Sequence, residues 1–401
     1  MEKTFVGRQP IYREGVEVFA YELFSRNSEL TQGTFAKADT VKAEALLHEF
    51  IKVGLDRVIG PHSAFVDVTR NFILKEYASL LPKNGVVLQV PGDTPPDDPL
   101  LKSLSQLSSQ GYSIAVNNFA YREEMHPLAE MANIIKLNTR AFDHPGLAAQ
   151  VEALRPFKAK LLAEGVETHE DYQRCRDSGF DYYEGYFFCK PQFRVDGPLP
   201  SNRLSTLHLL SKLQDPEISF TELERAVGQD IAMSYRILRY LNSPLHALPR
   251  KVDSIRHAIA LVGTDLIRRW ASVIWLESIE EKPRELMVMS MVRAHMCQQL
   301  GIAAGARNVD QYFTVGLLSL MDALLDRPMS KVLPELPLVD SVKHALENHT
   351  GSMGAALQCV EAYERCDWER AAFANLEEKK IREAYLSSVA WSRAVIHELV
   401  N

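Results

Sequence analysis

The chain has 401 residues, of which 46% are hydrophobic and 24% charged, a composition long and apolar enough for two folded domains of about 100 to 200 residues each. Its formal net charge of -7 argues against wrapping nucleic acid with a basic surface. The five cysteines are scattered, so neither a disulfide framework nor a structural zinc site is predicted, and no apolar run has membrane-spanning length. We therefore expect a cytoplasmic protein with no membrane and no nucleic-acid partner.

The first half of the chain alternates short apolar runs with polar, helix-prone stretches. These runs cover residues 16–24, 63–68, 85–90, 112–116, 134–137, 160–163 and 182–187. Several of them, such as Val86-Val87-Leu88, are apolar throughout, as is typical of strands buried on both faces. The alternation predicts an α/β fold built on a parallel sheet or barrel.

The composition changes between residues 191 and 202, where Gly197-Pro198-Leu199-Pro200 interrupts regular structure. We place the domain boundary there and expect one domain over residues 1–196 and a second over 197–401. Beyond the boundary, apolar residues recur at helical spacing, as at Tyr235, Leu238 and Leu241. The second domain is predicted to be all-helical.

Polar residues end many of the apolar runs in the first half. Reactive side chains of a strand-helix barrel lie at the carboxyl ends of its strands, where the loops converge. Residues in such positions are Glu22, Asp67, Asn117, Asn118, Lys136 and Glu164. For the asparagines considered alone, a turn or helix-cap role is the commoner alternative.

Three segments carry a family resemblance, namely Glu22-Leu23-Phe24, Ala163-Glu164-Gly165-Val166-Glu167-Thr168 and Glu184-Gly185-Tyr186. Together they resemble the bacterial EAL domain, and the resemblance covers about residues 5–191. It implies a TIM-like (β/α) barrel that hydrolyses cyclic di-GMP with two divalent metals at its mouth.

The resemblance also implies roles for individual residues. Glu22 matches a metal ligand, Lys136 a lysine beside the metal-bound water and Glu164 the general base. Glu167 matches a glutamate that supports the loop, while Gln9 and Arg26 match positions that hold the ligand. In a barrel that has lost its metals, Lys136 is expected to form an ion pair with Glu164.

Several positions depart from the family pattern. The chain has Asp67 in place of a metal-binding asparagine, Gly92 or a shifted Gln89 in place of a glutamate, Asn117 and Asn118 in place of two aspartates, and Glu184 in place of a glutamine. Magnesium is usually held through carboxylates, and two adjacent metals need clustered negative charge. We therefore expect no cofactor and no metal site. If a metal binds, Glu22 and Asp67 are the expected ligands, with magnesium or manganese required only for residual activity.

The second half resembles the HDOD domain, a helical relative of metal-dependent HD phosphohydrolases. The carriers are Asp230–Ser243, Ile255–Gly263 and Val315–Leu325, the last of which is predicted as one helix. Ser319 and Leu320 replace the adjacent His-Asp of the HD enzymes, and Ser319 and Asp322 are expected one turn apart on one face. The resemblance implies a module that contacts other proteins.

The main hypothesis is therefore a catalytically inactive signalling protein, not an enzyme. The resemblance to two-domain signalling proteins implies that it regulates motility or biofilm-type behaviour. It would act through signalling partners bound by the HDOD domain, and we expect a homodimer because EAL barrels commonly dimerise. One alternative is an active or residual cyclic di-GMP phosphodiesterase. Another is a sensor that binds cyclic di-GMP through Gln9 and Arg26 without cutting it.

Overall fold

The structure, a computed structural model, describes residues 6–25, 55–191, 210–215, 217–243, 251–277 and 282–400. It divides into two compact units, residues 1–190 with 364–368 and residues 191–363 with 369–401. The predicted boundary at residues 196 and 197 lies outside the described residues and stays a prediction. Arg26 also lies outside them.

The first unit is a closed barrel of eight strands, which confirms the predicted α/β class. The strands are β1 Val6–Arg13, β2 Val18–Ser25, β3 Ser63–Asp67, β4 Val86–Pro91, β5 Ser113–Asn117, β6 Ile134–Asn138, β7 Lys160–Glu164 and β8 Tyr182–Glu184. Neighbours from β2 to β8 are parallel. β1 is antiparallel to both β2 and β8, and thereby closes the barrel.

The sequence did not predict β1. Its segment Arg8-Gln9-Pro10 is polar and contains a proline, which lacks the backbone N–H that a strand interior normally donates. Tertiary pairing forms the strand nonetheless, with Gln9 opposite Glu22 and Ile11 opposite Glu184.

Helices connect the successive parallel strands and cover the outside of the barrel. They are α1 Leu55–Ile59, α2 Arg70–Leu74, α3 Asp98–Ser109, α4 His126–Met131, α5 His144–Leu154 and α6 His169–Asp177. α6 begins with a capping box in which the Thr168 hydroxyl accepts from the Asp171 amide and the Asp171 carboxylate accepts from the Thr168 amide. The cap fixes where α6 begins and therefore shapes the loop that follows Glu164.

A layer of buried side chains fills the barrel. Its members are Ile11, Ala20, Phe65, Val87, Ala115, Ile134 and Leu162, with Phe19 and Tyr182 packed against them. Because side chains alternate between the two faces of a strand, the residue two positions nearer the carboxyl end faces the same interior. The layer therefore determines which side chains converge at the barrel mouth.

In its described residues the second unit forms helices joined by turns and loops and contains no strand, as the sequence predicted. Its helices are α7 Phe220–Gly228, α8 Ile231–Leu241, α9 Ile255–Val262, α10 Thr264–Glu277, α11 Arg284–Ala303, α12 Val309–Leu318, α13 Met321–Leu325, α14 Met329–Val332, α15 Asp340–Asn348, α16 Gly351–Glu364 and α17 Glu378–Val400. α11 is buried along most of its length. Gly316 lets α12 pack against it, since a Cβ there would lie 2.3 Å from the Arg293 carbonyl oxygen. In the ranges that the structure describes, no helix has the length and apolar character of a membrane span.

The prediction of one helix over Val315–Leu325 was wrong, because α12 ends at Leu318 and α13 begins at Met321. The hydroxyl of Ser319 donates to the Gly316 carbonyl at 2.8 Å and accepts from Arg293 at 3.2 Å, which fixes the break. Ser319 and Asp322 therefore do not share one helical face.

Candidate active site

Every parallel strand of the barrel contributes one polar side chain to the mouth. The seven residues, here called the mouth ring, are Glu22, Asp67, Gln89, Asn117, Lys136, Glu164 and Glu184. Each follows by two positions a residue of the interior layer or Tyr182, so all seven point toward the barrel axis at one end. Gln9 holds the corresponding position on the antiparallel β1, opposite Glu22.

Lys136 is the central cation of the mouth ring. Its side chain is fully buried, and its ammonium nitrogen lies 2.5 Å from Oε2 of Glu22, 2.9 Å from Oε2 of Glu184 and 3.8 Å from Oε1 of Glu164. The predicted pairing with Glu164 is therefore the longest of the three contacts. Glu22 and Glu184 are the main partners of Lys136.

Lys136 contacts two buried carboxyl groups, those of Glu22 and Glu184, whose pKa values shift in opposite directions. Burial opposes ionisation of Glu22, but the charge of Lys136 and hydrogen bonds from its neighbours lower its pKa to about 2. Burial and the negative charge of Glu22 raise the pKa of Glu184 well above its ordinary value. Burial alone would lower the pKa of Lys136, but the negative charges of the surrounding glutamates outweigh it and raise the pKa. The directions of these shifts favour ionisation of Glu22 over ionisation of Glu184, which is hydrogen-bonded to Glu22.

Gln89 links two acidic members of the ring. Its amide nitrogen lies 2.6 Å from Oε1 of Glu22 and 2.6 Å from Oδ1 of Asp67 and donates to both. β4 pairs Gln89 with Asp67, whereas Gly92 lies beyond the strand. Of the two residues considered for the missing glutamate, Gln89 is thus the one in the mouth ring.

Gly92 has a different role, because it lets the loop after β5 approach β4. Its N–H donates to the Asn117 carbonyl at 2.6 Å. A Cβ at this position would lie 2.6 Å from that oxygen and 2.8 Å from Cα of Phe119. The adjacent Asn118 is exposed and has a left-handed φ of 49°, a conformation that asparagine tolerates better than most residues. Neither Gly92 nor Asn118 belongs to the mouth ring.

Asp67 and Asn117 end the two strands that flank β4, and their side chains are hydrogen-bonded to each other. Asp67 is open to solvent on one side, but crowding by protein atoms and the negative charge of Glu22 raise its pKa. The Asn117 amide opposes this shift by hydrogen bonding to Asp67. Excess negative charge at this point favours a bound cation.

Glu164 and Glu167 lie on the loop between β7 and α6. About a third of the Glu164 side chain is exposed, and desolvation raises its pKa against the opposing charge of Lys136. Glu167 lies 3.5 Å from both Arg140 and Lys190, outside the ring. The loop packs on Gly185, where a Cβ would come 1.8 Å from the Val166 carbonyl oxygen. This contact explains why glycine follows Glu184.

The oxygen atoms of the ring fit a divalent cation. The side-chain oxygens Oε1 of Gln89 and Oδ1 of Asn117 are buried without a hydrogen-bond partner. Together with the carboxylates of Glu22 and Asp67, they form the hard oxygen donors that magnesium and manganese prefer. Within the described ranges, no three His, Cys, Asp or Glu side chains are arranged to hold a metal. A metal here therefore needs the two amide oxygens as ligands.

The comparisons with known proteins agree with this architecture. The EAL domain family model matches residues 61–191, and the HDOD domain family model matches residues 199–356. The chain therefore belongs to the proteins that carry an EAL barrel followed by a helical HDOD domain. This confirms the family and fold expected from the sequence motifs.

Two curated relatives align over nearly the whole chain. One, from Vibrio cholerae, is named "Cyclic di-GMP phosphodiesterase CdgJ"; it is 28% identical over 98% of this chain and 94% of the relative. The other is the Bacillus subtilis "Uncharacterized protein YuxH", which is 26% identical over 97% of this chain and 98% of the relative.

Solved structures of EAL proteins align with about half of this chain. The "PaMucR Phosphodiesterase, c-di-GMP complex" is 18% identical, with a TM-score of 0.40 over 51% of this chain and 100% of that one. The "Klebsiella pneumoniae BlrP1 pH 9.0 manganese/cy-diGMP complex" is 15% identical, with a TM-score of 0.38 over 47% of this chain and 55% of that one.

The expectation that this chain is not an enzyme was wrong. It rested on counting carboxylates at Gly92, Asn117 and Asn118, whereas a relative aligned with both domains is named a phosphodiesterase. In the structure Gln89 takes the ring position considered for Gly92, and Asn118 lies outside the ring. Two of the three positions counted therefore do not face the barrel axis, and the third, Asn117, contributes an amide oxygen to the ring.

Proposed function

We propose that this chain is a cyclic di-GMP signalling enzyme, a phosphodiesterase that hydrolyses one of the two phosphodiester bonds of the cyclic dinucleotide. The observation that carries the proposal is the mouth ring, in which Lys136 and four carboxyl groups converge with two unpaired amide oxygens. The name of the Vibrio cholerae relative supports the same activity.

The proposed cofactor is magnesium or manganese. Glu22, Asp67, Gln89 and Asn117 would hold it through their side-chain oxygens. When bound, a divalent cation lowers the pKa of a coordinated water and offsets the charge of a phosphate. The first effect would activate the attacking water, and the second would reduce the repulsion between the phosphodiester and the acidic ring.

Glu164 is the proposed general base. Its side chain lies at the mouth, within reach of solvent. Its pKa is raised, and a carboxylate with a higher pKa is a stronger proton acceptor. It would take a proton from the attacking water as that oxygen bonds to phosphorus. The bond from phosphorus to one ribose oxygen breaks, and that leaving oxygen takes a proton from solvent. Lys136 keeps Glu22 ionised and holds it in place.

The test is hydrolysis by the purified full-length chain, with magnesium or manganese, followed by chromatography for the linear dinucleotide. Glu164→Gln should lower the rate by about 100-fold or more, since it removes the general base. Glu170→Gln is the matched control, because Glu170 is exposed on the first turn of α6 and should leave the rate unchanged. Absence of product with either metal would overturn the proposal, as would an unaffected rate in Glu164→Gln. Calorimetric binding without product would instead favour the sensor alternative.

For the helical domain we propose docking of signalling proteins, and for the whole chain a homodimer and control of motility or biofilm-type behaviour. Ile231 and Tyr235 support a docking role, since they lie one turn apart on α8 with 84% and 63% of their surfaces exposed. Light scattering should give about twice the monomer mass. A monomer mass would contradict the dimer, and unchanged motility and biofilm formation in a deletion strain would contradict the pathway.

A further inference from the structure

A second cavity lies beside the mouth ring but shares no residue with it. Its volume is about 160 Å³, and its lining comes from the loop after β6, from the start of α5, from Gly165 and from α6. Each water in the liquid takes about 30 Å³, so the space exceeds a single hydration site. It accommodates a compact polar group.

The cavity is lined by hydrogen-bond donors that can engage an anion, and its acidic side chains are already hydrogen-bonded. Arg140, His144 and Arg174 contribute nitrogen donors, while Asp143 and Asp171 are the acidic lining residues. Both aspartates are already committed to helix caps. Asp143 accepts from the Gly146 N–H at 2.9 Å, and Asp171 accepts from the Thr168 N–H at 3.0 Å and pairs with Arg174.

Arg140 is the most accessible cation of the cavity. Its side chain is 64% exposed, and its described ionic contact is a loose one to Glu167 at 3.5 Å. A guanidinium group presents paired donors that fit the oxygens of a phosphate. An oxyanion could therefore engage Arg140 by displacing a weak contact.

We propose that this cavity binds a phosphate-type oxyanion, either free phosphate or the phosphate group of a nucleotide. Arg140 and Arg174 are the main donors, with His144 at the start of α5 as a third. Phe142 and Leu147 form the apolar wall. The site is separate from the one proposed for cyclic di-GMP.

The cavity is joined to the loop that carries Glu164. Gly165, with a φ of +78°, lines the cavity, and Arg140 packs 3.5 Å from where its Cβ would lie. Thr139, another lining residue, donates its hydroxyl to the Glu164 carbonyl at 2.8 Å. An anion that draws Arg140 from Glu167 would shift this loop. The effect on hydrolysis rests on the proposed function, whereas the binding itself does not.

Calorimetric titration of the full-length chain with inorganic phosphate, without divalent metal, tests the site. We expect saturable binding with a dissociation constant of about 1 mM, and binding about tenfold weaker in Arg140→Gln. Arg155→Gln is the control, since Arg155 is an exposed arginine paired with Glu152 away from the cavity. Its affinity should equal that of the unmodified chain. Lack of saturation at ten times that concentration would overturn the inference, and so would equal affinity in Arg140→Gln.

A parallel titration with guanosine 5′-monophosphate identifies the source of the anion. Tighter binding than phosphate, weakened equally by Arg140→Gln, would indicate a nucleotide, and equal binding would indicate free phosphate. Nucleotide binding that is indifferent to Arg140→Gln would place the ligand outside the cavity and overturn the cavity site. None of these readouts depends on hydrolysis, so failure here is distinguishable from failure of the proposed enzyme.

Discussion

Oε2 of Glu184 lies 2.9 Å from the ammonium nitrogen of Lys136, inside a barrel that gives both groups almost no contact with water. Lys136 also holds Glu22, so one positive charge neutralises a pair of buried carboxyl groups. This relationship makes the lysine a structural requirement of the barrel as well as a part of the site.

Removing the positive charge of Lys136 should destabilise the barrel. Lys136→Met leaves the Glu22 carboxylate buried without its partner, and we expect a loss of about 3 to 5 kcal/mol in the free energy of unfolding. Lys160→Met is the control, because Lys160 pairs with Asp181 at the surface and its loss should cost below about 1 kcal/mol. Urea unfolding followed by circular dichroism measures both. Equal losses would show that the buried pair has no special role.

Glu184 should make stability depend on pH. Its folded pKa is raised, so its contribution is fully present below the unfolded value near 4.5 and is lost as pH rises through the folded pKa. The free energy of unfolding should fall with pH in this window, by at most about 1.4 kcal/mol per unit for one proton. Glu184→Gln should flatten the slope when melting is followed between pH 5 and 8. An unchanged slope would mean that Glu184 is ionised like Glu22.

Asn117→Asp should strengthen the proposed metal site. A third charged ligand beside Glu22 and Asp67 should tighten manganese binding by about tenfold, because affinity for hard cations rises with ligand charge. Asn138→Asp is the matched control, since Asn138 also ends a strand but caps the Arg140 N–H at 3.0 Å. Calorimetry with manganese compares the two. Equal effects would indicate general electrostatic attraction without a site at Asn117.

Introducing a side chain at position 92 should destabilise the barrel. Gly92→Ala places a Cβ against the backbone of the loop after β5, and we expect a loss of about 1 to 3 kcal/mol through overpacking. Gly228→Ala, on α7, has open space around the new Cβ and should be neutral or stabilising. Thermal melts of the two variants measure the difference in stability. A Gly92→Ala variant as stable as the unmodified chain would contradict the prediction.

The helical domain should have its own pH response through His349. Its ring nitrogen lies 3.1 Å from Glu361, and this hydrogen bond raises its pKa above 6.5 despite partial burial. The stabilisation is present below pH 6.5 and is lost as pH rises through the folded pKa; it should be below about 1 kcal/mol because both groups are partly exposed. His349→Gln should remove this dependence in unfolding followed by tryptophan fluorescence. The exposed His344 provides the control, and a pH dependence unchanged in His349→Gln would contradict the prediction.

Much of the fold was predictable because its signals are local. Short apolar runs gave seven of the barrel strands, and helical spacing gave the second domain. β1 was missed because Arg8, Gln9 and Pro10 form a strand only through pairing with β2 and β8. The helix break at Ser319 was missed for a similar reason, since the buried Arg293 contact comes from another helix.

The site was harder to predict because the sequence alone does not show which residues of neighbouring strands lie side by side at the barrel mouth. Glu22, Asp67, Lys136 and Glu164 were identified from motifs, and the structure brings all four to the mouth. Glu184 was noted as a departure, yet its contact with Lys136 needs the closed barrel. Gln89 and Gly92 lie three positions apart, and the pairing of β4 with β3 was needed to decide between them.

The antiparallel β1 also has a consequence for synthesis on the ribosome. Its pairing of Ile11 with Glu184 joins the first strand of the barrel to the last, so the sheet keeps two unpaired edges until nearly all of this domain has been made. Contacts so distant along the chain form slowly, and exposed strand edges invite misassembly. The nascent barrel is therefore expected to depend on chaperones until β8 emerges and closes it.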